Sequence, residues 1–374
     1  MKKQILITGG AGFIGTVLTK KLLGLGYSIT ILDSLEKQIH GENPDVSFFQ
    51  VNTTFIQGDV RNSKDVAESL KGIDIIVHLA AQTGTGQSMY NIVNYTDVNC
   101  IGTSVLMEGI MTANQKIEKV VVASSRAVYG EGKYLSSSEG IQFPTSRKNE
   151  DLDRKIFNPV CNADGQEMTQ QATDENARIM PVSVYGLSKY YQEELVKINC
   201  QALNIPFVSL RFQNVYGAGQ SLKNPYTGIL SIFSNLILKG EQINVFEDGL
   251  ESRDFIYVDD ICDSIILSIE NEIANNKIYN VGSGEPTTVL QVIDELSRAY
   301  AKKADFYISG NFRVGDIRHN FADIKLISRD LNFSPKVSLK EGIHKLATWV
   351  MEQELSDIGY QSSLDEMKKN NLYK

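Results

Sequence analysis

Cysteine is scarce in this chain. The four present (Cys100, Cys161, Cys200, Cys262) are far apart and form no Cys-x-x-Cys pair. That excludes a disulfide frame or a cysteine zinc site and fits reduced thiols in the cytoplasm. No uninterrupted apolar run of about 18 residues occurs, so no membrane-spanning helix is expected. Positive charge is in deficit: 37 Lys and Arg stand against 45 Asp and Glu, for a net charge of −8. This argues against a broad nucleic-acid-binding surface, though a few local arginines can still hold an anionic ligand. No internal repeat is found. Met1-Lys2-Lys3-Gln4 leads straight into a strand and carries no signal-peptide cleavage site, so a cytoplasmic location is expected.

What is present is an alternation of short apolar runs with helical periods. Residues 4–8, rich in β-branched side chains, read as a buried parallel strand. Gly9, Gly12 and Gly15 follow, and 16–24 has helical spacing. Gly9 allows the tight turn, Gly12 lets backbone approach a pyrophosphate at the helix N-terminus, and Gly15 lets helix and strand pack closely. The next strand, 28–32, ends in Asp33, an acid placed to hold the ribose hydroxyls of NAD and to repel the 2′-phosphate of NADP. Strands over 54–57, 73–77 and 120–123 complete five strand–helix alternations. Asp59 and Val60 stand at the exit of the third, where Asp59 could reach the adenine side or cap a helix starting near Ser63. His78 reads as a core histidine, followed by Leu79, Ala80 and Ala81, small enough for backbone to pass a ligand. A helix is expected over 91–114, with Asn99 a polar residue in an apolar register. The fold class predicted is α/β, a doubly wound parallel sheet with ligands at the C-terminal strand ends. That lines 9–15, Asp33, Ala80, Ala81 and Ser125 along one rim.

The alternation breaks over 130–181, a polar stretch without periodicity. A structureless excursion of that length is either a lid or interaction element, or a mobile surface loop. A helix over 184–203 follows and carries Tyr185 and Lys189 four residues apart, on one face. A phenol ionises near pH ~10, and a cation beside it favours phenolate. Lowering its pKa by ~3 units is worth about 4 kcal/mol. After a strand at 207–210 the alternation loosens. Helices are expected over 228–238, 258–269, 289–300 and 340–351, a strand over 278–282, and a frayed tail from Gln361.

In order along the chain, TGGAGFIG (8–15), HLAA (78–81), SSRAVYG (124–130), Tyr185 with Lys189, RFQNVYG (211–217), RDFIYVDD (253–260) and YNVGSG (279–284) together resemble the extended short-chain dehydrogenase/reductase family, in its nucleotide-sugar epimerase/dehydratase branch. The resemblance implies a Rossmann domain over 1–215 with the insertion 130–181, and a smaller, partly interleaved mixed α/β domain over 216–374 that binds the nucleotide sugar. It implies Ser125, Tyr185 and Lys189 as catalytic residues: Tyr185 the general base on a sugar hydroxyl, Ser125 bonded to the same oxygen, Lys189 on the nicotinamide ribose and lowering the tyrosine pKa. NAD would be held by Gly9, Gly12, Phe13, Ile14, Gly15, Asp33, Asp59, Val60, Leu79, Ala80, Ala81 and Asn99, with Tyr185 and Lys189. Substrate would meet Thr85, Ser125, Asn214, Asn224, Tyr226, Arg253, Arg313 and Asp316, the two arginines clamping the diphosphate. The alternative for those arginines is surface pairing, Arg253 with Asp254 and Arg313 with Asp316. A homodimer through the helices at 91–114 and 184–203 is the family's usual assembly.

Ser125, Arg126 and Ala127 stand where 4,6-dehydratases of the branch hold Thr, Asp and Glu, so water elimination is not expected. GTGQSM (84–89), the run 224–233 and GDIRH (315–319) look like a subgroup that includes dTDP-L-rhamnose 4-epimerases. Some relatives carry a Cys-x-x-Cys pair in the insertion. Cys161 has no such partner, so no metal is expected. The activity expected is an NAD-dependent nucleotide-sugar 4-epimerase acting on dTDP-L-rhamnose and dTDP-6-deoxy-L-talose. The alternatives are a UDP-, GDP- or CDP-linked sugar, a net dehydrogenase or reductase, and a non-catalytic NAD sensor.

Overall fold

The computed structural model describes residues 3–374 except Asn114, Lys223, Pro225, Thr227 and 356–358. The run 224–233 singled out in the sequence therefore has Pro225 and Thr227 outside the described residues. Seven parallel strands form the central sheet: β1 (Gln4–Thr8), β2 (Ser28–Asp33), β3 (Thr54–Gln57), β4 (Ile75–His78), β5 (Lys119–Ser125), β6 (Phe207–Phe212) and β7 (Lys277–Val281). Their order is β7-β6-β5-β4-β1-β2-β3. Alternate residues of each strand enter two separate cores, Ile5, Ile7, Val121 and Ala123 on one face and Leu6, Val120 and Val122 on the other. Burial on both faces explains why these strands read as continuous apolar runs.

The order reverses between β1 and β4. The turn after β1 and the ends of β4 and β5 therefore open into one crevice at their C-terminal edge. Helix α1 (Phe13–Gly24) rises from the glycine turn, and α2 (Val184–Ala202) lies beside β5. Helix α3 (Val258–Glu270) packs against α1, where Lys21 donates to Asp263 at 2.6 Å and to the Asp259 carbonyl at 2.9 Å. Residues beyond 216 thus return to the first sheet through α3 and β7. They also build a small sheet in which Asn214–Tyr216, Ser252–Tyr257, Pro286–Thr288 and His319–Asn320 pair.

Three expectations are corrected. The insertion 130–181 is not structureless: Lys133–Ser136 pairs antiparallel with Gly140–Gln142 and Thr169–Gln171, and a short helix spans Asn149–Asp153. Buried charges fasten it to the second half of the chain. Arg147 meets Glu131 (3.2 Å) and Glu247 (2.7 Å), and Arg318 meets Asn158 (2.7 Å), Glu247 (2.9 Å) and Asp248 (2.7 Å). The helix expected over 91–114 is instead Ile92–Tyr95, a π-helical turn at Thr96–Ile101 and a helix at Gly102–Thr112, with Asn114 outside the described residues. The tail is not frayed, since Tyr360–Lys369 is a helix with Leu364 and Met367 buried. No described helix is long and apolar enough to cross a membrane.

Candidate active site

The crevice is a cavity of about 900 Å³ that runs from the glycine turn, past the ends of β4 and β5, into the second half of the chain. At its cofactor end, Gly9 has φ +70°, and a Cβ there would lie 2.8 Å from the Ala80 nitrogen. A Cβ on Gly15 would lie 2.6 Å from the Gly10 backbone, so α1 can nest on β1 only with glycine there. Helix α1 starts at Phe13 with no side chain capping it, which leaves its first-turn N–H groups open toward an anion. Asp33 secures the turn, accepting from the backbone N–H of Ala11 and of Leu35, each at 2.9 Å. These features fit a dinucleotide whose diphosphate lies at the α1 N-terminus.

Gly12, Phe13, Ile14, Asp59, Val60, Leu79 and Ala81 line the same end. Asp59 does not cap the following helix. Asn62 does, accepting from Lys64 N–H at 2.9 Å, while Asp59 holds Arg61 at 2.6 Å. Asn99 stands behind the wall. Its side chain accepts from Gln82 N–H (2.7 Å) and donates to the Gln82 carbonyl (3.1 Å) and Ser188 (2.8 Å), so it fixes the loop after β4 from the rear. His78 is the core histidine expected, between Thr8 (2.7 Å) and Thr103 (2.9 Å). Burial first, and the nearby Lys189 charge second, push it down to about 3, so it is neutral at physiological pH.

Midway along the cavity, Ser125 ends β5 and accepts from the Ala127 N–H at 3.2 Å, capping a 3-10 turn over Arg126–Tyr129. Ser183 caps α2 through Gly186 N–H at 3.1 Å. A Cβ on Gly186 would lie 2.5 Å from the Ala127 carbonyl oxygen. Only glycine therefore lets α2 sit close enough to the 3-10 turn to bring Tyr185 beside Ser125. Ser125, Tyr185 and Lys189 all line the cavity. Burial raises the Tyr185 phenol above its ordinary value, while the Ser125 hydroxyl and the Arg126 charge pull it down. Arg126 is thus a cation that bears on the phenol and that the sequence reading had not assigned to it. The Lys189 ammonium donates to Gln192 at 2.8 Å, one turn along α2, and burial lowers its pKa to about 7.

Arg126, passed over in the sequence except as a missing acid, lines the cavity and makes no hydrogen bond or ion pair among the described residues. Burial and the nearby Arg253 lower its pKa to about 10, so it stays charged at neutral pH.

Toward the end of the cavity away from the glycine turn, Thr85, Asn214, Tyr226, Arg253, Arg313 and Asp316 line it. Arg253 does not pair with Asp254. Its guanidinium meets Asp316 at 2.8 Å and the carbonyls of Ser252, Ile317 and Arg318, while Asp254 is buried and accepts from Ser283, Gly284 and Ala322. Burial works against the Asp316 carboxylate, but Arg253, Arg313, Arg147 and Arg126 hold its pKa down, to about 2. Arg313 stacks on Phe246 at 4.5 Å, and its buried Nε has no partner among the described residues. Asn224 is set behind the wall, accepting from Tyr226 N–H at 3.0 Å and from Gln38 at 3.3 Å.

The glycine turn that fits a dinucleotide, the side chains of Ser125, Tyr185 and Lys189, and a pocket lined by Arg253 and Arg313 thus border one cavity. A sequence profile of the NAD dependent epimerase/dehydratase family matches residues 5–151 and 160–282. The chain belongs to that family, and its cofactor is NAD. It is 34% identical to the dTDP-L-rhamnose 4-epimerase of Burkholderia thailandensis over 353 residues, 94% of this chain and 96% of that one. The UDP-glucose 4-epimerase of Thermotoga maritima, solved with UDP-glucose, superposes with a TM-score of 0.75 at 27% identity, covering 93% of this chain and 99% of that one. The UDP-glucuronic acid 4-epimerase of Bacillus cereus, solved with UDP-glucuronic acid and NAD, gives 0.74 at 26% identity, covering 93% and 99%.

Proposed function

We propose that this protein is an NAD-dependent nucleotide-sugar 4-epimerase whose substrate pair is dTDP-L-rhamnose and dTDP-6-deoxy-L-talose. The observation that carries the reading is the placement of Tyr185, Ser125 and Lys189 where the cofactor cradle meets the pocket lined by Arg253 and Arg313. Similarity to a dTDP-L-rhamnose 4-epimerase supports the sugar. Bound NAD supplies the acceptor and donor of hydride at C4. Tyr185 takes the proton from the C4 hydroxyl and returns it, and Ser125 holds that oxygen in line. Arg313 and Arg253 receive the diphosphate, so the sugar can turn without the nucleotide leaving. No acid stands at 126 or 127 to drive elimination.

The test is to incubate the purified protein with dTDP-L-rhamnose, UDP-glucose, UDP-glucuronic acid and GDP-mannose, each without reductant. The expected outcome is a 4-epimer from dTDP-L-rhamnose alone and no accumulation of free NADH. A 4-epimer from only a UDP sugar would move the substrate. Free NADH would make the protein a net dehydrogenase, and no product from any sugar would count against the class.

The same reading includes a homodimer. Exposed apolar side chains stand out on the two helical segments at its expected interface: Ile92 (51% exposed), Val93 (82%), Leu187 (57%) and Ile198 (60%). Such surface on a soluble chain marks a contact face. Light scattering is expected to give twice the 41.6 kDa chain mass, and Val93→Glu with Leu187→Glu to give monomer. A monomeric parent protein would sink the assignment.

A further inference from the structure

The segment 360–374 touches four stretches that border the cavity, 84–90, Tyr226, 244–246 and 312–314, and the proposed chemistry uses none of it. Its last residues run beside 312–314: Val314 N–H donates to the Leu372 carbonyl (2.9 Å), Phe312 N–H to the Lys374 carbonyl (2.8 Å), and Lys374 N–H back to the Phe312 carbonyl (3.1 Å). Arg313 lies between those bonds. Tyr373 packs edge-on against Phe246 at 5.2 Å, behind the Phe246–Arg313 stack, and its hydroxyl accepts from Asn244 and from Asn311, each at 2.8 Å. On the helix, the Glu366 carboxylate accepts from the Tyr226 hydroxyl at 2.5 Å and lies 3.0 Å from the Tyr90 hydroxyl, which is 2.9 Å from that of Tyr226. The next residue, Met367, closes on the loop 84–89, where a Cβ on Gly86 would meet its sulfur at 3.4 Å. Tyr360 and Met367 themselves line the cavity.

We propose that 360–374 is a wall of the nucleoside-diphosphate-sugar site, with Glu366 and Tyr373 as positioning residues that set substrate affinity and not the chemistry at C4. The ligand class rests on the functional reading above; the wall rests on the contacts just given. Each loop gains its order from the tail in a different way. The segment 312–314 gains backbone bonds that fix where Arg313 points. Phe246 gains an aromatic neighbour. Tyr226 gains the Glu366 carboxyl group as a hydrogen-bond acceptor beside the Tyr90 hydroxyl, and the two together select one position for its phenol. Order fixed before binding need not be created on binding, so its loss weakens affinity while leaving the reacting groups in place.

The experiment compares the full chain with one ending at Gly359, and with Glu366→Ala and Tyr373→Phe, which keep the proposal testable if the shortened chain does not fold. Bound NAD, calorimetric affinity for dTDP and UDP, and KM against kcat are read for each. The shortened chain is expected to lose at least about tenfold in nucleotide affinity and in KM, the scale of one or two charge-assisted bonds, with NAD content unchanged. The point variants are expected to lose about threefold each, with kcat within about twofold. Unchanged affinity in the shortened chain overturns the proposal. Loss of NAD or of kcat in parallel with affinity also overturns it, because the tail would then be general support. If the full chain binds neither dTDP nor UDP, the functional reading fails and takes the ligand with it. Binding by the full chain that the variants leave intact sinks the wall alone.

Discussion

Tyr185→Phe is expected to lower kcat by about 10³-fold while leaving NAD bound and KM within about threefold. The substitution removes one oxygen and little volume. Helix α2 keeps its Ser183 cap and its glycine contact with the 3-10 turn, so Ser125 and Lys189 stay in place. On the proposed mechanism, what is lost is the group that accepts the C4 proton as hydride leaves. Ser125 cannot replace it, because an alkyl hydroxyl without an adjacent base is a far weaker acceptor near neutral pH. Single-turnover reduction of bound NAD by the nucleotide sugar, followed by absorbance, isolates this step from product release. Near-normal reduction by the variant would remove Tyr185 from proton transfer.

Arg126→Met is expected to move the acidic limb of the kcat profile to higher pH by about one unit, which is ~1.4 kcal/mol. The sign follows from the charge. A guanidinium beside a phenol favours phenolate, so its removal raises the Tyr185 pKa, already above its ordinary value through burial. Activity needs the phenolate, so at a fixed pH below that limb the variant runs about tenfold slower, and the deficit closes as pH rises. Of the other groups around the phenol, Ser125 does not titrate here, Tyr95 is raised by burial beyond the working range, and Lys189, lowered to about 7 by burial, titrates in the parent and the variant alike. Asp316 is held down to about 2 by several arginines, so losing one leaves it ionised. Arg126→Lys retains a charge and is expected to recover most of the shift. A pH profile unmoved by Arg126→Met, with kcat lowered equally at all pH values, would show that the residue acts by contact and not through its field.

Much of the site was legible because its signals are local. The glycines at 12 and 15 answer to backbone clearances of under 3.5 Å within one strand–turn–helix unit, and Gly9 is called for by the positive φ of the turn itself, although its clearance is against Ala80 after β4. Asp33 ends the next strand, and Tyr185 and Lys189 share a helix face by spacing alone. Short-range pattern also has limits. The alternative that paired Arg253 with Asp254 fails because on the strand Ser252–Tyr257 adjacent side chains point to opposite faces, so they cannot meet. Lys189 was the nearest cation to Tyr185 along the chain, but its ammonium turns back onto its own helix. The tail carried a readable signal that went unused: Tyr360, Leu364 and Met367 fall at i, i+4 and i+7, the spacing of a docked helix.

The sequence by itself determined the strand–helix alternation and the dinucleotide turn, and it set Tyr185 and Lys189 on one helix face, because each depends on residues within one or two turns of one another. Only the tertiary structure decided which cation faces the phenol, which carboxylate holds Arg253, how the insertion is fastened by Arg147 and Arg318, and that the chain's last residues border the substrate end. Those contacts join positions far apart along the chain, from Glu131 with Arg318 to Tyr90 with Glu366. Their partners are set by how the packed sheet and helices bring distant segments together, and no local spacing encodes that.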